Sequence, residues 1–298
     1  MLLVPRRRQD TTSPPVENAR RGFRIDAPWV FVLPYLLGAA FLIAYPLGYG
    51  FWIARDPLNY LQLFNDPTYW GAAVNTLLFL GVGVNVTLVL ALLLSGFFAI
   101  RRWWIKALLP VFILPWAIPS VSAYLSVHWM LNSENGMINT ILRGIGFTSP
   151  PEWLNTYSWA ITGAIVAFIW QWLPFWTLIL LAARMAIPPS VYEAADIDGA
   201  TGIRRLAYVT FPLLRGTYLT STLLAAIWTL SDYNAVNFVT GGAPGDTTHV
   251  LATLGVDYAF EIGFVELGVS VGLTALPLVV ILIVLLVSRL KKEAGGAA

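Results

Sequence analysis

Pro188-Pro189-Ser190-Val191-Tyr192-Glu193-Ala194-Ala195-Asp196-Ile197-Asp198-Gly199-Ala200-Thr201, running on to Phe211-Pro212, is the polar interval on which the reading of this chain turns. It separates two strongly apolar segments and carries its own helix punctuation. Two prolines open it, Ser190 and Glu193 have the S-x-x-E spacing of a capping box, and Gly199 stands where a helix would stop. The pattern predicts a short helix over Val191 to Asp198, about 12 Å long at 1.5 Å per residue. Such a helix is marginal alone in water, so it needs packing against the rest of the chain or against a partner.

Composition says what lies on either side. The 298 residues are 57% hydrophobic and 11% charged, and the mean hydropathy is +0.70. A soluble domain carries about 25% charged residues. The deficit, with several long apolar runs, describes an all-α polytopic membrane protein. The net charge of +2 is not gathered on a soluble domain, so nucleic acid is not an expected partner. There is no cysteine and hence no thiol chemistry, and the two histidines, His128 and His249, belong to no metal-ligand spacing.

Six spans are expected, at 27–53, 71–100, 107–131, 157–187, 212–238 and 264–287, inside one membrane domain at 26–290. Tails at 1–25 and 291–298 flank it, and 188–211 is the largest loop on its side. The first 25 residues do not read as a cleaved signal peptide, because the apolar run after the basic region is too long. Six spans put both termini on one side. That side receives 16 of the 18 Lys and Arg residues, and only Arg55 and Arg143 fall on the other. The positive-inside rule makes the first side cytoplasmic, together with the 188–211 loop. The loops at 54–70, 132–156 and 239–263 are then external.

With a side assigned, the spacing within the loop becomes informative. Glu193-Ala194-Ala195, three residues, Gly199, nine residues, Val209, and then Phe211-Pro212 resembles the EAA loop of the membrane subunits of ATP-binding-cassette importers. Asp198-Gly199-Ala200 and Phe211-Pro212-Leu213-Leu214 look like its sugar-permease branch. Further matches are Asn75-Thr76-Leu77, Leu114-Pro115-Trp116-Ala117-Ile118-Pro119, Gly136-Met137-Ile138-Asn139 and Thr240-Gly241-Gly242-Ala243-Pro244. The family's external loop has a third glycine where this chain has Ala243, so a local difference is expected there. The resemblance extends over residues 28–290 and is closest to maltose- and glycerol-phosphate-type permeases.

The resemblance implies the type I importer permease fold in a bacterial inner membrane. It implies a second homologous permease, two copies of a cytoplasmic ATPase and an external solute-binding protein as partners. By the same resemblance Glu193, Ala194, Ala195, Asp198 and Gly199 transmit closure of the ATPase pair, with Glu193 capping the helix and Gly199 permitting a sharp exit. This chain needs no cofactor, and ATP and Mg belong to the ATPase. The residues agree: a phosphate-cradling loop needs Gly-Lys before Ser or Thr. None of the three lysines, Lys106, Lys291 and Lys292, follows a glycine. Arg204 and Arg205 read as positive-inside anchors or as contacts to the ATPase.

For the substrate path, the polar residues within spans are the candidates. Asp232, Tyr233, Asn234 and Asn237 lie in the outer half of the fifth span, and Trp170-Gln171-Trp172 lies midway along the fourth. An amide flanked by aromatic rings suits a sugar, by stacking and hydroxyl hydrogen bonds. Asn75, Asn85, Tyr124 and His128 suit hydrogen bonds between helices, and Gly268-x-x-x-Gly272 suits close helix packing. Two further readings stand: a permease for a non-sugar solute such as a polyamine, and an ion-coupled carrier. The first four spans contain no Asp or Glu, which weighs against the carrier. No nucleophile-base or metal constellation for an intramembrane enzyme is present.

Overall fold

The computed structural model describes residues 29–295. The tail expected at 1–25 lies outside them. The chain divides into two units, 1–50 and 51–298. In the first, α1 (Trp29–Ala39) passes through a π-helical turn (Ala40–Ala44) into α2 (Tyr45–Ile53). Phe41, Tyr45 and Tyr49 stack one above the other at successive i, i+4 positions.

After the last residues of α2, the second unit has two short helices, α3 (Pro57–Phe64) and α4 (Pro67–Leu78), built alike. Each starts at a proline whose missing N–H needs no partner, and each is capped by the preceding aspartate. Asp56 accepts from the Leu58 N–H at 2.9 Å and Asp66 from the Thr68 N–H at 2.8 Å. From α4 a π turn (Phe79–Val84) leads into α5 (Asn85–Phe98), which makes Pro67–Phe98 one apolar span.

Next come α6 (Trp103–Ala117) and α7 (Ser120–Met130), the short α8 (Met137–Gly144), and the long α9 (Tyr157–Met185). After α10 (Pro189–Ile197) and α11 (Gly202–Arg205), a π turn (Leu206–Thr210) leads into α12 (Phe211–Leu230), followed by α13 (Asn234–Val239). The chain closes with α14 (Leu251–Val256), a π turn (Asp257–Glu261), α15 (Val265–Thr274) and α16 (Leu276–Gly295). There is no strand among the described residues.

The main core forms where α5 lies along α9. Ala160, Ala164 and Ala167 of α9 and Ala91 of α5 are buried. Their small side chains let the backbones approach closely, and Phe79, Leu88, Phe168, Trp176 and Leu180 fill the remaining space. A smaller cluster joins Leu63, Tyr69 and Ala72 to Leu251, Leu254, Leu267 and Val271. Here Gly268 is needed: a Cβ on it would lie 2.4 Å from the Gly255 carbonyl oxygen. Gly272, expected to share this role, has nothing within 4 Å of where its Cβ would be.

Among the described residues, four helical stretches are long and apolar enough to cross a membrane: Phe31–Ile53, Pro67–Phe98, Tyr157–Met185 and Val265–Lys291. Two of the expected spans are interrupted. The third, expected at 107–131, is α6 and α7 meeting at 91°. A residue before proline is pushed out of the helical region, and Ile118 before Pro119 is extended at φ −76, ψ 139. The fifth, expected at 212–238, breaks between Leu230 and Asn234. The tail expected at 291–298 is described as far as Gly295, where it continues α16.

Candidate functional site

Two regions concentrate the sequence-predicted residues, one at each interruption of apolar chain. The first is α10. It begins at Pro189 and ends at Ile197, not at Val191 and Asp198, and no side chain caps its start. The expected capping box of Ser190 and Glu193 does not form. Proline at the first helical position carries the required φ and has no N–H to satisfy, so the helix starts two residues earlier and Ser190 falls inside it. Glu193 is exposed and is not the cap of this helix.

The end of α10 is closed by backbone alone. The Gly199 N–H donates to the Asp196 carbonyl at 3.1 Å and the Ala200 N–H to the Ala195 carbonyl at 2.8 Å. That pair of bonds is a Schellman turn, with Gly199 at φ +72 in the left-handed position. Of the EAA residues, Ala195 faces inward while Glu193, Ala194, Asp198 and Gly199 are exposed. Arg205, read as an anchor or a partner contact, bends back within the segment. It pairs with Asp196 and donates from Nε to the Ala200 carbonyl at 3.2 Å. Arg184, at the end of α9, donates to Ser95 Oγ and the Leu92 carbonyl, both at 3.1 Å, and ties α9 to α5 on this side. Beside α10 an apolar cavity of about 360 Å³ opens among Ala183, Ile187, Val191, Leu213 and Leu214.

The second region is the break after α12. There Asp232 Oδ1 accepts from the Asn234 N–H at 2.9 Å and the Ala235 N–H at 3.2 Å, which caps α13. Asn234 Nδ2 donates to Ser120 Oγ at 3.1 Å, so the break after α12 is joined to the break between α6 and α7. Between them lies a cavity of about 220 Å³, lined by Ser120, Tyr124, Trp172, Trp228, Ser231, Asp232, Tyr233 and Asn234. Trp172, Trp228 and Asp232 also border a tight aromatic box with Phe168 and Trp176, whose free space of about 10 Å³ is roughly that of one water. Trp228 packs on Trp172, Phe175 and Trp176 with ring centroids 5.6 to 5.7 Å apart.

The sequence-predicted path residues therefore separate. Asp232, Tyr233 and Asn234 line the cavity, whereas Trp170, Gln171 and Asn237 do not. Gln171 is 4% exposed, and its Nε2 donates to the Ile118 carbonyl at 3.3 Å, bracing the α6–α7 break. Trp172, the third member of the Trp170-Gln171-Trp172 stretch, does line the cavity, and Trp228, Ser120, Ser231 and Tyr124 are further cavity residues that the sequence does not mark as path residues. A signal for the aromatic wall was present: Phe168, Trp172 and Trp176 recur at i, i+4 and i+8, and Ala225, Trp228, Thr229 and Asp232 at i, i+3, i+4 and i+7, one helix face each.

On the opposite side from α10, Asn75 holds the glycine-rich loop. Its Nδ2 donates to the carbonyls of Thr247 and His249, both at 2.8 Å, and its Oδ1 accepts from the Tyr157 hydroxyl at 2.8 Å. Gly242 sits at φ +84, and a Cβ there would lie 2.3 Å from His249 Nε2. Ala243 is not at positive φ and closes the turn through its N–H to the Thr240 carbonyl, so this position does not demand glycine. Tyr258 donates its hydroxyl to Asp66 Oδ2. Burial, and then this carboxylate, push the Tyr258 hydroxyl pKa up. Among the described residues no group of His, Asp and Glu is arranged to hold a metal ion.

A helical bundle with an exposed, backbone-closed loop helix at one end and a polar-aromatic cavity at its helix breaks describes a membrane transport component. Residues 83–292 match the family described as the binding-protein-dependent transport system inner membrane component, and the chain belongs to that family. Among its relatives are the sulfoquinovosyl glycerol transport system permease protein of Agrobacterium fabrum, 34% identical over 65% of this chain and 63% of that protein, and the trehalose/maltose transport system permease protein of Thermococcus litoralis, 29% identical over 89% and 94%. The lactose transport system permease protein of Rhizobium radiobacter is 30% identical over 75% and 80%. A chain of a bacterial alginate transporter, solved with an alginate pentasaccharide-bound periplasmic protein, shares the fold: TM-score 0.77 at 20% identity, over 88% of this chain and 91% of that one. The protein is a multi-pass membrane transport subunit of this family.

Proposed function

We propose that this chain is one of two permease subunits of an ATP-driven importer for a carbohydrate or sugar derivative. The cavity between the two helix breaks carries the reading. Two tryptophans, four hydroxyl-bearing residues (Ser120, Tyr124, Ser231 and Tyr233), Asp232 and Asn234 line one space. Rings that stack and groups that exchange hydrogen bonds are what a sugar needs from its site. At about 220 Å³ the cavity falls short of the roughly 300 Å³ at which small-molecule pockets begin. A second, homologous permease completes it. The relatives named for trehalose/maltose and for lactose support the sugar class.

Energy enters at α10 from an ATPase pair in the cytoplasm, the side to which the basic residues assign both termini. Exposed Ile197, Ile203 and Tyr208 around the α10 turn offer apolar contact for a protein partner. Glu193, Ala194, Asp198 and Gly199 form the contacting surface, and Ala195 seats the helix on the bundle. ATP and Mg bind the ATPase, and this chain performs no covalent chemistry. A binding protein delivers the solute to the loops at 54–70, 132–156 and 239–263.

The test is uptake by the whole transporter, purified with its own partner subunits and reconstituted in vesicles. Maltose, trehalose and lactose are offered with the binding protein present and ATP inside. Uptake of at least one, dependent on ATP, supports the reading; sugar uptake that survives removal of the ATPase overturns it. Asp232 beside Trp172 and Trp228 also suits a cation over aromatic faces. A polyamine such as spermidine therefore belongs in the panel, and its transport in place of every sugar would establish the second reading.

A further inference from the structure

Helix α8 packs Ile138 toward the main core and leaves a second apolar edge outside. Met137, Ile141 and Ile145 recur at i, i+4 and i+8 from its first turn to the residue after its end, and Phe147 follows. All four are between 52% and 69% exposed. One of its polar residues is turned inward: Asn139 is buried, donating from Nδ2 to the carbonyls of Ser133 at 3.0 Å and Pro151 at 3.1 Å, while Thr140 and Arg143 are exposed. Arg143 does not break the apolar face. Its guanidinium folds back to donate to the carbonyls of Glu134 at 2.8 Å and Ser133 at 2.9 Å. Between the apolar residues stand only Thr140 and Gly144, so the outward stripe carries no charge.

We infer that this face lies on the lipid surface, with Met137, Ile141, Ile145 and Phe147 inserted at the headgroup boundary of the leaflet opposite α10. Continuity with the membrane-facing helices argues for lipid. The Trp153 indole N–H donates to Asn139 Oδ1 at 2.7 Å, and the Trp153 ring lies 4.9 Å from that of Trp159, an exposed residue in the first turn of α9. On the other flank α8 contacts α7, whose Val121, Leu125 and Trp129 form an exposed stripe at i, i+4 and i+8. Tryptophans gather at the membrane–water boundary. Trp129 and Trp159, near the ends of α7 and α9, bracket α8 at that level. A short amphipathic helix with an uncharged apolar face is the form that lies in that plane. A docking protein that leaves after each cycle would return four adjacent apolar side chains to water, whereas lipid covers them throughout. This inference needs only that the chain spans a membrane and does not depend on the solute carried.

The chain has no cysteine, so one can be introduced without removing others. Ile141→Cys, labelled with a nitroxide in the whole transporter, is reconstituted in phosphatidylethanolamine–phosphatidylglycerol vesicles without binding protein, and the unsubstituted transporter supplies the background. Collision of the label with oxygen should exceed collision with a water-soluble nickel chelate by severalfold, the reverse of the result at Asn135→Cys. A label at 141 that nickel reaches as freely as at 135 overturns the inference. So does one closed to both reagents, which would mark a protein contact. Should Ile141→Cys fail to insert, Met137→Cys and Ile145→Cys give the same readout on the same face.

Discussion

The turn after α10 and the break after α12 both follow a helix closed by backbone N–H groups, and they differ in how the chain continues. Behind α10 the chain leaves through Gly199 at φ +72, with nothing within 4 Å of where a Cβ would lie, and the helix is closed by backbone N–H groups. Behind α12 the last carbonyls also meet backbone N–H groups, those of Ser231 and Asp232, but a carboxylate starts the next helix, as Asp232 caps α13 from the wall of a cavity. Open space around a glycine lets another surface approach. A break among spans frees N–H groups away from bulk water, and these must be satisfied from within the protein. The first device leaves room for a partner, and the second places a charged group where a solute can meet it.

The contrast is tested hardest at Gly199. A non-glycine residue in the left-handed region costs roughly 1–2 kcal/mol, about tenfold in the population of that turn. Gly199→Asp is expected to insert normally, to abolish most uptake, and to leave ATP hydrolysis running; vesicles that import at the wild-type rate would remove α10 from coupling. At the cavity, Trp228→Ala strips a ring that packs on three others. An aromatic pair is worth about 0.5–1.5 kcal/mol beyond its area, so the solute concentration for half-maximal uptake should rise up to about tenfold. Trp170→Ala, outside the cavity, should leave that value unchanged.

A smaller effect separates the two jobs of Asp232. Asn keeps a capping oxygen and loses the charge, whereas Ala loses both, and the lost cap costs about 1 kcal/mol. If Asp232 meets the solute, Asp232→Asn and Asp232→Ala both weaken uptake severalfold. If it only caps α13, the Asn variant transports normally while the Ala variant has a lowered melting temperature. Smallest of all is Arg205→Ala. Its pair with Asp196 is partly exposed, and such pairs contribute about 0–1 kcal/mol. Uptake should fall by at most a few-fold, by slackening the 199–205 turn, with little change in thermal stability.

Local chemistry accounts for what was legible in the amino-acid order. Apolar runs too long for a soluble core announced the membrane, and Gly199 announced the end of α10, because a left-handed turn is a demand made by a few neighbouring bonds. The capping box expected at Ser190 and Glu193 is absent for an equally local reason: Pro189 can start a helix without a cap. Gln171 stands out in the sequence as an amide between two tryptophans. Its partner, the Ile118 carbonyl, lies 53 residues away and is free to accept only because Pro119 breaks the helix there.

From sequence alone came the class of protein, the loop helix and the polar residues worth watching, since composition, prolines and glycines act through near neighbours. Tertiary structure alone decided that Asp232 and Asn234 meet Ser120, that Trp172 rather than Trp170 faces the same space, and that α8 turns its asparagine inward. Those facts are set by how separate helices rotate about their own axes and where they cross. The rotation depends on every side chain in the shared core, and no single segment carries it.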